Sequence, residues 1–328
     1  MKWLINSWYQ PHPIRWLLSP LSAFYRMIIL LRKWCYHLGI FKQYHLSVPV
    51  IIVGNISLGG TGKTPFVIWL TQQLQKAGMR PGIISRGYGG HAKQYPQIVS
   101  PTSDPSIVGD EPILISRHTH CPIAVAPNRH AAGQMLLQQF DCNIIIADDG
   151  LQHYALGRDI EVAIIDGERL FGNQYCLPAG PLREPLARLE HVNFIVHNGG
   201  QSPTDFRMTL SQAVAINLID PTLRKNISEF ADQIVHAVAG IGHPQRFFEQ
   251  LIQQNLHIIS HPFADHYAFQ ITDLSFGDDK PIFMTEKDAV KCQSFANKNM
   301  WVIPIEAQIT GKLDQQILQT IAGLSSHG

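Results

Sequence analysis

The length and composition of the chain exclude several classes of protein. The chain has 328 residues, of which 45% are hydrophobic and 16% are charged, enough to bury the core of one large domain or two smaller ones. This composition excludes an intrinsically disordered chain, a collagen-like repeat and a disulfide-stabilised miniprotein. The five cysteines have no Cys-x-x-Cys spacing, so they are predicted to fill the core of a protein from a reducing compartment.

Charge is distributed unevenly along the chain. Eleven Lys and Arg and no Asp or Glu precede Asp104, whereas the rest of the chain carries 15 Lys and Arg against 25 acidic residues. A basic segment of this kind predicts an anionic partner, such as phosphate groups or an acidic membrane surface. Nucleic acid is not the predicted partner, because no zinc-finger, RRM or helix-turn-helix pattern accompanies the charge.

Residues 1–47 form a segment rich in aromatic and basic side chains, with four of the six Trp and four of the nine Tyr. Ser19 as N-cap and Pro20 at the first helical position predict a helix that Gly39 ends. One face of this helix is predicted to be apolar and the opposite face basic, with Phe24, Ile28, Leu31, Cys35 and Leu38 against Arg26, Lys33 and His37.

This aromatic and basic segment is predicted to lie in a membrane interface. A transmembrane span is not predicted, since the longest charge-free apolar stretch, 16–25, is far shorter than about 20 residues and contains Pro20. A signal peptide is not predicted either, because no small-residue cleavage site is present. The alternative is an amphipathic helix whose apolar face packs on the protein's own core.

From Val48 onward, short apolar runs alternate with helical stretches, which predicts an α/β fold with a mainly parallel sheet. The first series of predicted strands is 50–53, 82–85, 123–126, 143–147, 162–165 and 192–197, with helices at 64–76 and 129–140. A loop at 198–203 precedes strands 207–209 and 213–218 and a second series at 234–239, 244–254, 256–259, 282–284 and 301–304. We therefore divide the chain into an N-terminal segment (1–47), a P-loop core lobe (48–200) and a smaller second α/β lobe (201–328).

A glycine-rich sequence, Gly59-Gly60-Thr61-Gly62-Lys63-Thr64, lies between the first predicted strand and the first predicted helix. Glycines let backbone N–H groups turn towards phosphate oxygens, Lys63 reaches the β and γ phosphates, and the Thr64 hydroxyl can bind Mg²⁺. The order of strand, glycine-rich turn, Gly-Lys-Thr and helix predicts a P-loop. The pattern departs from GxxxxGK[ST] at one position, since Ser57 stands where the first glycine would fall.

A P-loop also needs a carboxylate for its metal, usually at the end of a neighbouring buried strand. The run 143–147 ends in Asp148, Asp149 and Gly150, which meets that need. Alternation along a strand directs the two acids to different sides, so both reach the metal only if the chain turns at Gly150. A helix-capping role for one of them is the alternative.

The phosphoryl acceptor needs a base, and a base benefits from an orienting histidine. Asp110 and Glu111 open a predicted helix, where they act either in catalysis or as favourable charges at the helix N-terminus. His266 falls in a predicted loop of the second lobe. Three arginines in glycine- or proline-marked loops, Arg86, Arg129 and Arg183, either bind phosphate or lie on the surface.

Taken together, these motifs resemble the lipid A 4′-kinase (tetraacyldisaccharide 4′-kinase) family over nearly the whole chain. The resemblance rests on the basic aromatic N-terminal helix and on eight short motifs in one order: Gly-Gly-Thr-Gly-Lys-Thr-Pro at 59–65, Ser-Arg-Gly-Tyr-Gly at 85–89, Gly-Asp-Glu-Pro at 109–112, Asp-Asp-Gly-Leu-Gln-His at 148–153, Pro-Leu-Arg-Glu-Pro at 181–185, Gly-Ile-Gly-His-Pro at 240–244, Asp-His-Tyr at 265–267 and Thr-Glu-Lys-Asp-Ala at 285–289. The variable position Ser57 is no real departure from this family.

The resemblance implies transfer of the ATP γ-phosphate to the 4′-hydroxyl of an acylated glucosamine disaccharide 1-phosphate, with Mg²⁺, at the cytoplasmic face of the bacterial inner membrane and in contact with anionic lipids. It implies that Asp110 is the base and that His266 orients it. It implies ATP contacts at Ser57, Leu58, Gly59, Gly60, Thr61, Gly62, Lys63, Thr64, Pro65, Glu111 and Gln152. It implies substrate or phosphate contacts at Arg86, Arg129, His153 and Arg183, and metal contacts at Thr64, Asp148 and Asp149.

Two other functions fit parts of the sequence. A membrane-associated P-loop switch ATPase of the partition type also uses a Gly-Gly-x-Gly-Lys-Thr loop, but it carries a signature lysine where this chain has Leu58. A soluble P-loop kinase or ligase for a small metabolite leaves the aromatic and basic N-terminal segment without a role.

Overall fold

The predicted alternation of strands and helices builds a nine-stranded, mainly parallel sheet. The computed structural model describes residues 2–200, 206–212 and 214–325. In chain order, the strands of this first sheet are β1 (Val50–Gly54), β2 (Pro81–Ser85), β3 (Gln97–Val99), β4 (Ile123–Val125), β5 (Ile144–Asp148), β6 (Ile160–Asp166), β7 (Phe194–Asn198), β8 (Arg207–Ser211) and the last strand of the chain, β15 (Glu306–Ile309). Their order across the sheet is β15-β8-β7-β6-β1-β5-β2-β4-β3, and only the β3–β4 and β8–β15 pairs are antiparallel.

Helices cover both faces of this sheet, which explains why its central strands are continuously apolar. One face carries α3 (Lys63–Lys76), α5 (Asp110–Thr119) and α9 (Leu313–Ser325), and the other carries α6 (Arg129–Gln139). The short helix α4 (Pro105–Val108) precedes α5. Strand β1 is entirely buried and lies between β5 and β6, so its carboxyl end opens at the centre of the sheet.

A second, six-stranded sheet forms the other lobe. Its strands are β9 (Val214–Asn217), β10 (Arg224–Asn226), β11 (Ile234–Ala239), β12 (His257–Pro262), β13 (Ile282–Thr285) and β14 (Met300–Ile303), in the spatial order β10-β9-β14-β13-β11-β12. Helix α7 (Pro244–Gln253) packs on one face and α8 (Glu286–Cys292) on the other. Single-turn 3-10 helices lie at Leu186–His191, Ile227–Phe230, Ile271–Leu274 and Gln293–Phe295.

The first series of predicted strands agrees with the structure to within two residues at each end. The two sheets nevertheless divide the chain differently from the predicted ranges, since β8, β15 and α9 fall within 201–328 but belong to the first sheet and its core. The predicted loop at 198–203 and the predicted strand at 213–218 lie in part outside the described residues.

The N-terminal segment contains two helices, α1 (Lys2–Tyr9) and α2 (Ile14–His37), and the predicted start of the second helix at Ser19 and Pro20 is wrong. Pro20 lies inside α2, where it cannot donate to the Trp16 carbonyl one turn earlier. The Ser19 hydroxyl donates to that carbonyl at 2.9 Å, so the lost hydrogen bond is replaced locally. The helix therefore continues through Pro20 and ends before Gly39, as predicted.

One side of helix α2 is hydrogen-bonded to the rest of the protein, and the other side is apolar and exposed. The Ser22 hydroxyl donates to the Cys176 carbonyl at 2.7 Å, and the Tyr25 hydroxyl donates to the Arg183 carbonyl at 3.2 Å. On the other side Leu17 is 73% exposed and Trp34 is 67% exposed. Phe24, Ile28, Leu31 and Leu38 of the predicted apolar face are exposed too, so the alternative of a helix that packs this face on its own core is wrong.

By length and composition alone, α2 is also apolar enough to cross a membrane. The prediction against a span rested on the short charge-free stretch 16–25 and on Pro20 as a break, and the second of these does not hold, because Pro20 lies inside the helix. The contacts of Ser22 and Tyr25 with the body show how the helix is held: it lies against the first lobe.

Candidate active site

The glycine-rich loop joins β1 to the first turn of α3. Gly62 has a φ of +90°, and a Cβ there would lie 2.4 Å from Nδ2 of Asn198, so both backbone and space require glycine. Helix α3 begins at Lys63, so the free N–H groups of its first turn face the loop. Pro65 in that turn has no N–H and therefore leaves none unpaired. This geometry is that of a P-loop.

A second segment, 181–183, runs beside the loop and fixes its shape. Leu58 N–H donates to the Pro181 carbonyl at 2.8 Å, and Arg183 N–H donates to the Ile56 carbonyl at 2.7 Å. Ser57 is bridged to Leu182, which explains why this position does not need a glycine. The loop is thus braced by backbone hydrogen bonds from segment 181–183.

The loop is also held from within. The Asn55 amide donates to the Ser57 carbonyl at 2.8 Å and lies 3.2 Å from the Thr61 hydroxyl. The Gln152 amide donates to the Asn55 carbonyl at 3.0 Å, so Gln152 reaches the loop at its first residues. Gly59 and Gly60, in contrast, are not enclosed. A Cβ on Gly60 would meet no atom within 4 Å, and a Cβ on Gly59 would meet only the end of the Arg169 side chain. The backbone of both residues is therefore accessible to a phosphate.

Asp148 is the last residue of β5, and Asp149 follows it next to the P-loop. The chain turns at Asp149, which has a left-handed φ of +49°, so the alternation of a strand does not extend to this residue. A non-glycine residue in that region is strained and is often found at functional sites. Lys63 Nζ lies 3.4 Å from Asp149 Oδ1, and Arg183 Nη1 donates to Asp149 Oδ2 at 3.1 Å.

The pKa values of the two acids are shifted in opposite directions because their surroundings differ. Burial raises the pKa of Asp149, but the charges of Lys63 and Arg183 outweigh it and hold that pKa below its ordinary value. Asp148 is 1% exposed, and burial, with the charges of Glu111 and Asp149, raises its pKa to about 7. The Ser85 hydroxyl donates to Asp148 Oδ2 at 3.3 Å, whereas Asp148 Oδ1 is buried with no partner among the described residues.

These acids suit a magnesium ion that is completed by nucleotide phosphates. No group of three or more His, Cys, Asp or Glu side chains within the described ranges is arranged to hold a metal by itself. Mg²⁺ is commonly bound by one or two carboxylates together with substrate phosphates. The unpartnered, buried oxygen of Asp148 and the Thr64 hydroxyl in the first turn of α3 fit that pattern.

Asp110 and His266 come together from different lobes, although 156 residues separate them. His266 Nδ1 lies 3.2 Å from Asp110 Oδ2, while Asp110 Oδ1 accepts from the Glu111 N–H at 2.9 Å. One oxygen of Asp110 thus contacts the backbone at the helix N-terminus and the other contacts the histidine. His266 has a φ of +57°, and its ring packs on Tyr88 with centroids 5.1 Å apart.

Asp110 and His266 each shift the pKa of the other towards its charged form. Burial raises the pKa of Asp110, but the hydrogen bond from His266 and the charge of Lys287 keep that pKa below its ordinary value. The hydrogen bond to Asp110 raises the pKa of His266, against the effect of burial. Asp110 is therefore ionised at neutral pH and able to accept a hydrogen bond or a proton.

The predicted phosphate-binding residues lie near the acids but in different states. Arg129 is buried, not on the surface, and its guanidinium donates to the Asp148 carbonyl at 3.4 Å. Burial lowers the pKa of Arg129 to about 10. Burial and then the charges of nearby arginines, Arg129 first, lower the pKa of His153 to about 4, so that imidazole is neutral. Arg86 is exposed, and Arg183 is held by Asp149.

A family model described as Tetraacyldisaccharide-1-P 4′-kinase matches residues 14–322. Similar curated proteins named tetraacyldisaccharide 4′-kinase include that of Nitrosococcus oceani, 51% identical over 97% of this chain and 94% of that protein, and that of Methylobacillus flagellatus, 50% identical over 98% and 97%. The chain belongs to the tetraacyldisaccharide 4′-kinase family.

A solved structure gives the same result for the fold. The crystal structure of the "apo" form of LpxK from Aquifex aeolicus in complex with ATP matches this chain with a TM-score of 0.79 and 28% identity, over 94% of this chain and 99% of that chain. The predicted fold class and family are confirmed, and the chain is an ATP-binding kinase of the tetraacyldisaccharide 4′-kinase family. The partition-type switch ATPase and the soluble metabolite kinase or ligase are therefore wrong.

Two residues of this kinase-family site received no role from the sequence. The Asn198 amide, at the end of β7, donates to the Thr61 carbonyl at 3.1 Å and so holds the P-loop from the side. Lys287, at the start of α8, forms an ion pair with Glu111 across the lobes. Asn198 directly follows the predicted strand 192–197, at the same sheet edge as the P-loop, a signal that could have identified it. Lys287 stood within a family motif, but nothing in the sequence showed its partner.

Proposed function

We propose that the chain transfers the γ-phosphate of ATP to the 4′-hydroxyl of tetraacylated glucosamine disaccharide 1-phosphate. The observation that carries this proposal is the contact of Asp110 with His266, which brings a carboxylate–imidazole pair from two lobes to the edge where the P-loop opens. A P-loop alone fits any nucleotide hydrolase. A placed base is what an alcohol acceptor requires.

The P-loop, residues 57–65, binds the phosphates of ATP through its backbone N–H groups and Lys63. The ion pair of Lys63 with Asp149 holds the ammonium at the loop before nucleotide arrives. Thr64, Asp148 and Asp149 would hold Mg²⁺, which neutralises charge on the phosphates when bound. Glu111 and Gln152 complete the surroundings of the nucleotide.

Asp110 accepts the proton of the 4′-hydroxyl as that oxygen attacks the γ-phosphorus, and the bond to the β-phosphate oxygen breaks. His266 holds the carboxylate in position through its Nδ1 hydrogen bond. Because the Asp110 oxygen that faces His266 is 3.2 Å from Nδ1, a small shift of the second lobe changes the contact that orients the base. General-base catalysis of this kind contributes about 10² to 10⁴-fold.

The acceptor is anionic, and basic groups lie between the acids and α2. Arg86, Arg129 and Arg32 of α2 are close enough for their charges to lower the pKa of His153. A neutral His153 can donate a hydrogen bond to a sugar or phosphate oxygen without adding charge. We assign this basic region and Arg183 to substrate or phosphate contacts.

Helix α2 brings the enzyme to a substrate whose acyl chains stay in a bilayer. Its exposed side carries a wide apolar surface, with Trp16, Phe24, Leu31 and Trp34 all exposed. Its other side is held on the protein, whereas a span needs lipid around the whole helix. We therefore place α2 in the interface of the cytoplasmic leaflet as a peripheral or monotopic element, with its arginines and lysines at the level of anionic headgroups.

One assay tests the proposal directly. The purified protein is incubated with γ-labelled ATP, Mg²⁺ and the tetraacylated disaccharide 1-phosphate in detergent, beside a sample without lipid and one with the 4′-deoxy lipid. We expect label in the complete lipid only. Release of labelled phosphate at equal rates in all three samples would mean that the chain hydrolyses ATP without an alcohol acceptor.

A further inference from the structure

Among the residues of helix α5 that contact the second lobe are two neighbours at its start, Asp110 and Glu111, and of these two contacts only the first has a place in the mechanism above. We infer that Lys287 is a positioning residue for phosphoryl transfer, acting through its ion pair with Glu111 to hold the second lobe in register with the base. This inference rests on the proposed function and extends it to a residue to which nothing above gives a role.

The contact is specific and partly shielded from solvent. Lys287 Nζ pairs with Glu111 Oε1 across 176 residues of sequence, and each side chain is 25% exposed. Within the described ranges, Lys287 is the cation at ion-pair distance from Glu111. Partly buried pairs lose less to salt and solvent than surface pairs do, so this contact can fix a geometry.

The element that carries Lys287 is rigidly joined to the loop that carries His266. Asp288, which is fully buried, accepts from the Gly240 N–H at 2.9 Å and from the Thr285 hydroxyl at 2.6 Å, and pairs with Lys291 at 2.7 Å. A Cβ on Gly240 would lie 3.2 Å from the carbonyl of Ala264, two residues before His266. Lys287 and His266 therefore lie on one packed part of the second lobe, and their two contacts reach neighbouring residues of α5.

The ion pair of Lys287 with Glu111 also changes the balance of charge at the site. Four carboxylates, those of Asp110, Glu111, Asp148 and Asp149, meet at one edge of the first lobe, and Glu111 acts on Asp148 through its charge. Lys287 brings a positive charge to this group from the opposite lobe and acts on Asp110 as well as on Glu111. Without it, the acids of the first lobe lose an attractive charge on the second lobe, so the approach of the two lobes is less favourable.

The position of the base, rather than nucleotide affinity, is what Lys287 controls. The P-loop and Lys63 belong to the first lobe and are braced there independently of α8. Loss of Lys287 should therefore act mainly on kcat, with a smaller change in the KM for ATP that arises through Glu111, which also lies beside the nucleotide. A displacement of about 1 Å in an aligned site can reduce turnover by about 10²-fold.

The test compares Lys287→Met, Lys287→Arg, Glu111→Gln and the double variant Lys287→Met with Glu111→Gln, using the lipid assay above. Lys280→Met is the control, since Lys280 is an exposed lysine of the same lobe that pairs with Asp278. We expect Lys287→Met to lower kcat about 10 to 10²-fold with the KM for ATP within about threefold, and Lys287→Arg to recover most of that loss. The double variant should be no slower than the slower single variant, because both remove one contact.

A second measurement does not depend on lipid kinase activity. Amide hydrogen exchange in the first turn of α5 should be faster in Lys287→Met than in wild type or Lys280→Met, at unchanged Tm. Turnover within twofold of wild type in Lys287→Met, losses that multiply in the double variant, or unchanged exchange would each overturn the inference. Absence of lipid phosphorylation by wild type would instead reject the proposed function, and the exchange result would still decide the role of Lys287.

Discussion

The two lobes contribute to the site in different ways. The first lobe supplies a continuous edge of backbone and side chains, in which β1, β5 and β7 end beside the P-loop and hydrogen bonds from 181–183 brace it. The second lobe supplies isolated side chains, His266 from a loop and Lys287 from a short helix. Nucleotide binding is thus built into one lobe, whereas acceptor activation depends on how the two lobes meet.

The strongest test of this division is the loss of a first-lobe group. Lys63→Ala should lower turnover by about 10³-fold or more, because the ammonium acts on charge that develops on the transferring phosphate. The fold should persist, since Lys63 lies at the site and not in the core. Steady-state phosphorylation of the lipid and circular dichroism measure the two quantities. Lys76→Ala, at the exposed end of the same helix, is the matched control, and near-normal activity in Lys63→Ala would reject the P-loop role.

The contact between the lobes gives the next largest effect. Asp110→Ala should lower kcat by about 10² to 10⁴-fold, and the double variant with His266→Ala should be scarcely slower than the worse single variant, since the two act as one unit. ATP affinity, measured by calorimetry, should change little.

A structural role for Asp110 at the helix N-terminus predicts another pattern. Thermal stability would then fall, turnover would fall only modestly, and the effects of the two substitutions would multiply. That combination would remove the pair from the mechanism and would make the second lobe a support for the first.

Membrane binding is expected to depend on helix α2, which lies against the first lobe. Trp16, Phe24, Leu31 and Trp34, all changed to Gln, should strongly reduce sedimentation with vesicles that contain anionic lipid, because each exposed apolar side chain contributes about 1.5 to 3 kcal/mol when buried in the bilayer. The contacts of Ser22 and Tyr25 with the body are kept. Four exposed isoleucines of the second lobe changed to Gln serve as the control, Ile219, Ile234, Ile252 and Ile271. Equal loss in both variants would show that binding is not a property of α2.

A small effect of pH on stability is expected from the contact between α5 and α8, where the two lobes meet. His118 of α5 lies 2.6 Å from Glu286 of α8, and that hydrogen bond raises the pKa of His118 above its ordinary value despite burial. A raised pKa stabilises the fold fully below about pH 6.5 and loses that contribution as pH rises through the folded value. His118→Gln should therefore lower the free energy of unfolding by about 0.2 to 1 kcal/mol at pH 6 and by less at pH 9. Denaturant titrations at both pH values measure the free energy of unfolding. An equal effect at both would contradict the stabilising role of the His118–Glu286 hydrogen bond.

Local features of this fold could be predicted from sequence, because their signals lie within a few residues. The P-loop needs Gly62 and Lys63 next to a strand and a helix, and the acids at 148 and 149 need only the strand they end. The same reasoning failed at Ser19 and Pro20, where a side-chain hydrogen bond to Trp16 overrode the usual meaning of proline.

Long-range contacts could not be predicted. The sequence of β15, Glu-Ala-Gln-Ile, alternates polar and apolar residues over only four positions, and its pairing with β8 depends on residues about 95 positions earlier. The motif at 285–289 was visible, yet its partner Glu111 became known only from the fold. The functional groups of the first lobe were therefore readable, and those that join the lobes required the resemblance or the structure.

The return of the chain to the first sheet has a consequence for how the protein is made. Leu313, Ile317 and Ile321 of α9 are buried in the core of the first lobe beside α3. During synthesis, the N-terminal lobe therefore leaves the ribosome with its core open, and it closes only after the whole second lobe has emerged. The second lobe behaves as an insertion between two paired strands, so a nascent chain that stops near residue 200 exposes apolar surface to chaperones and proteases.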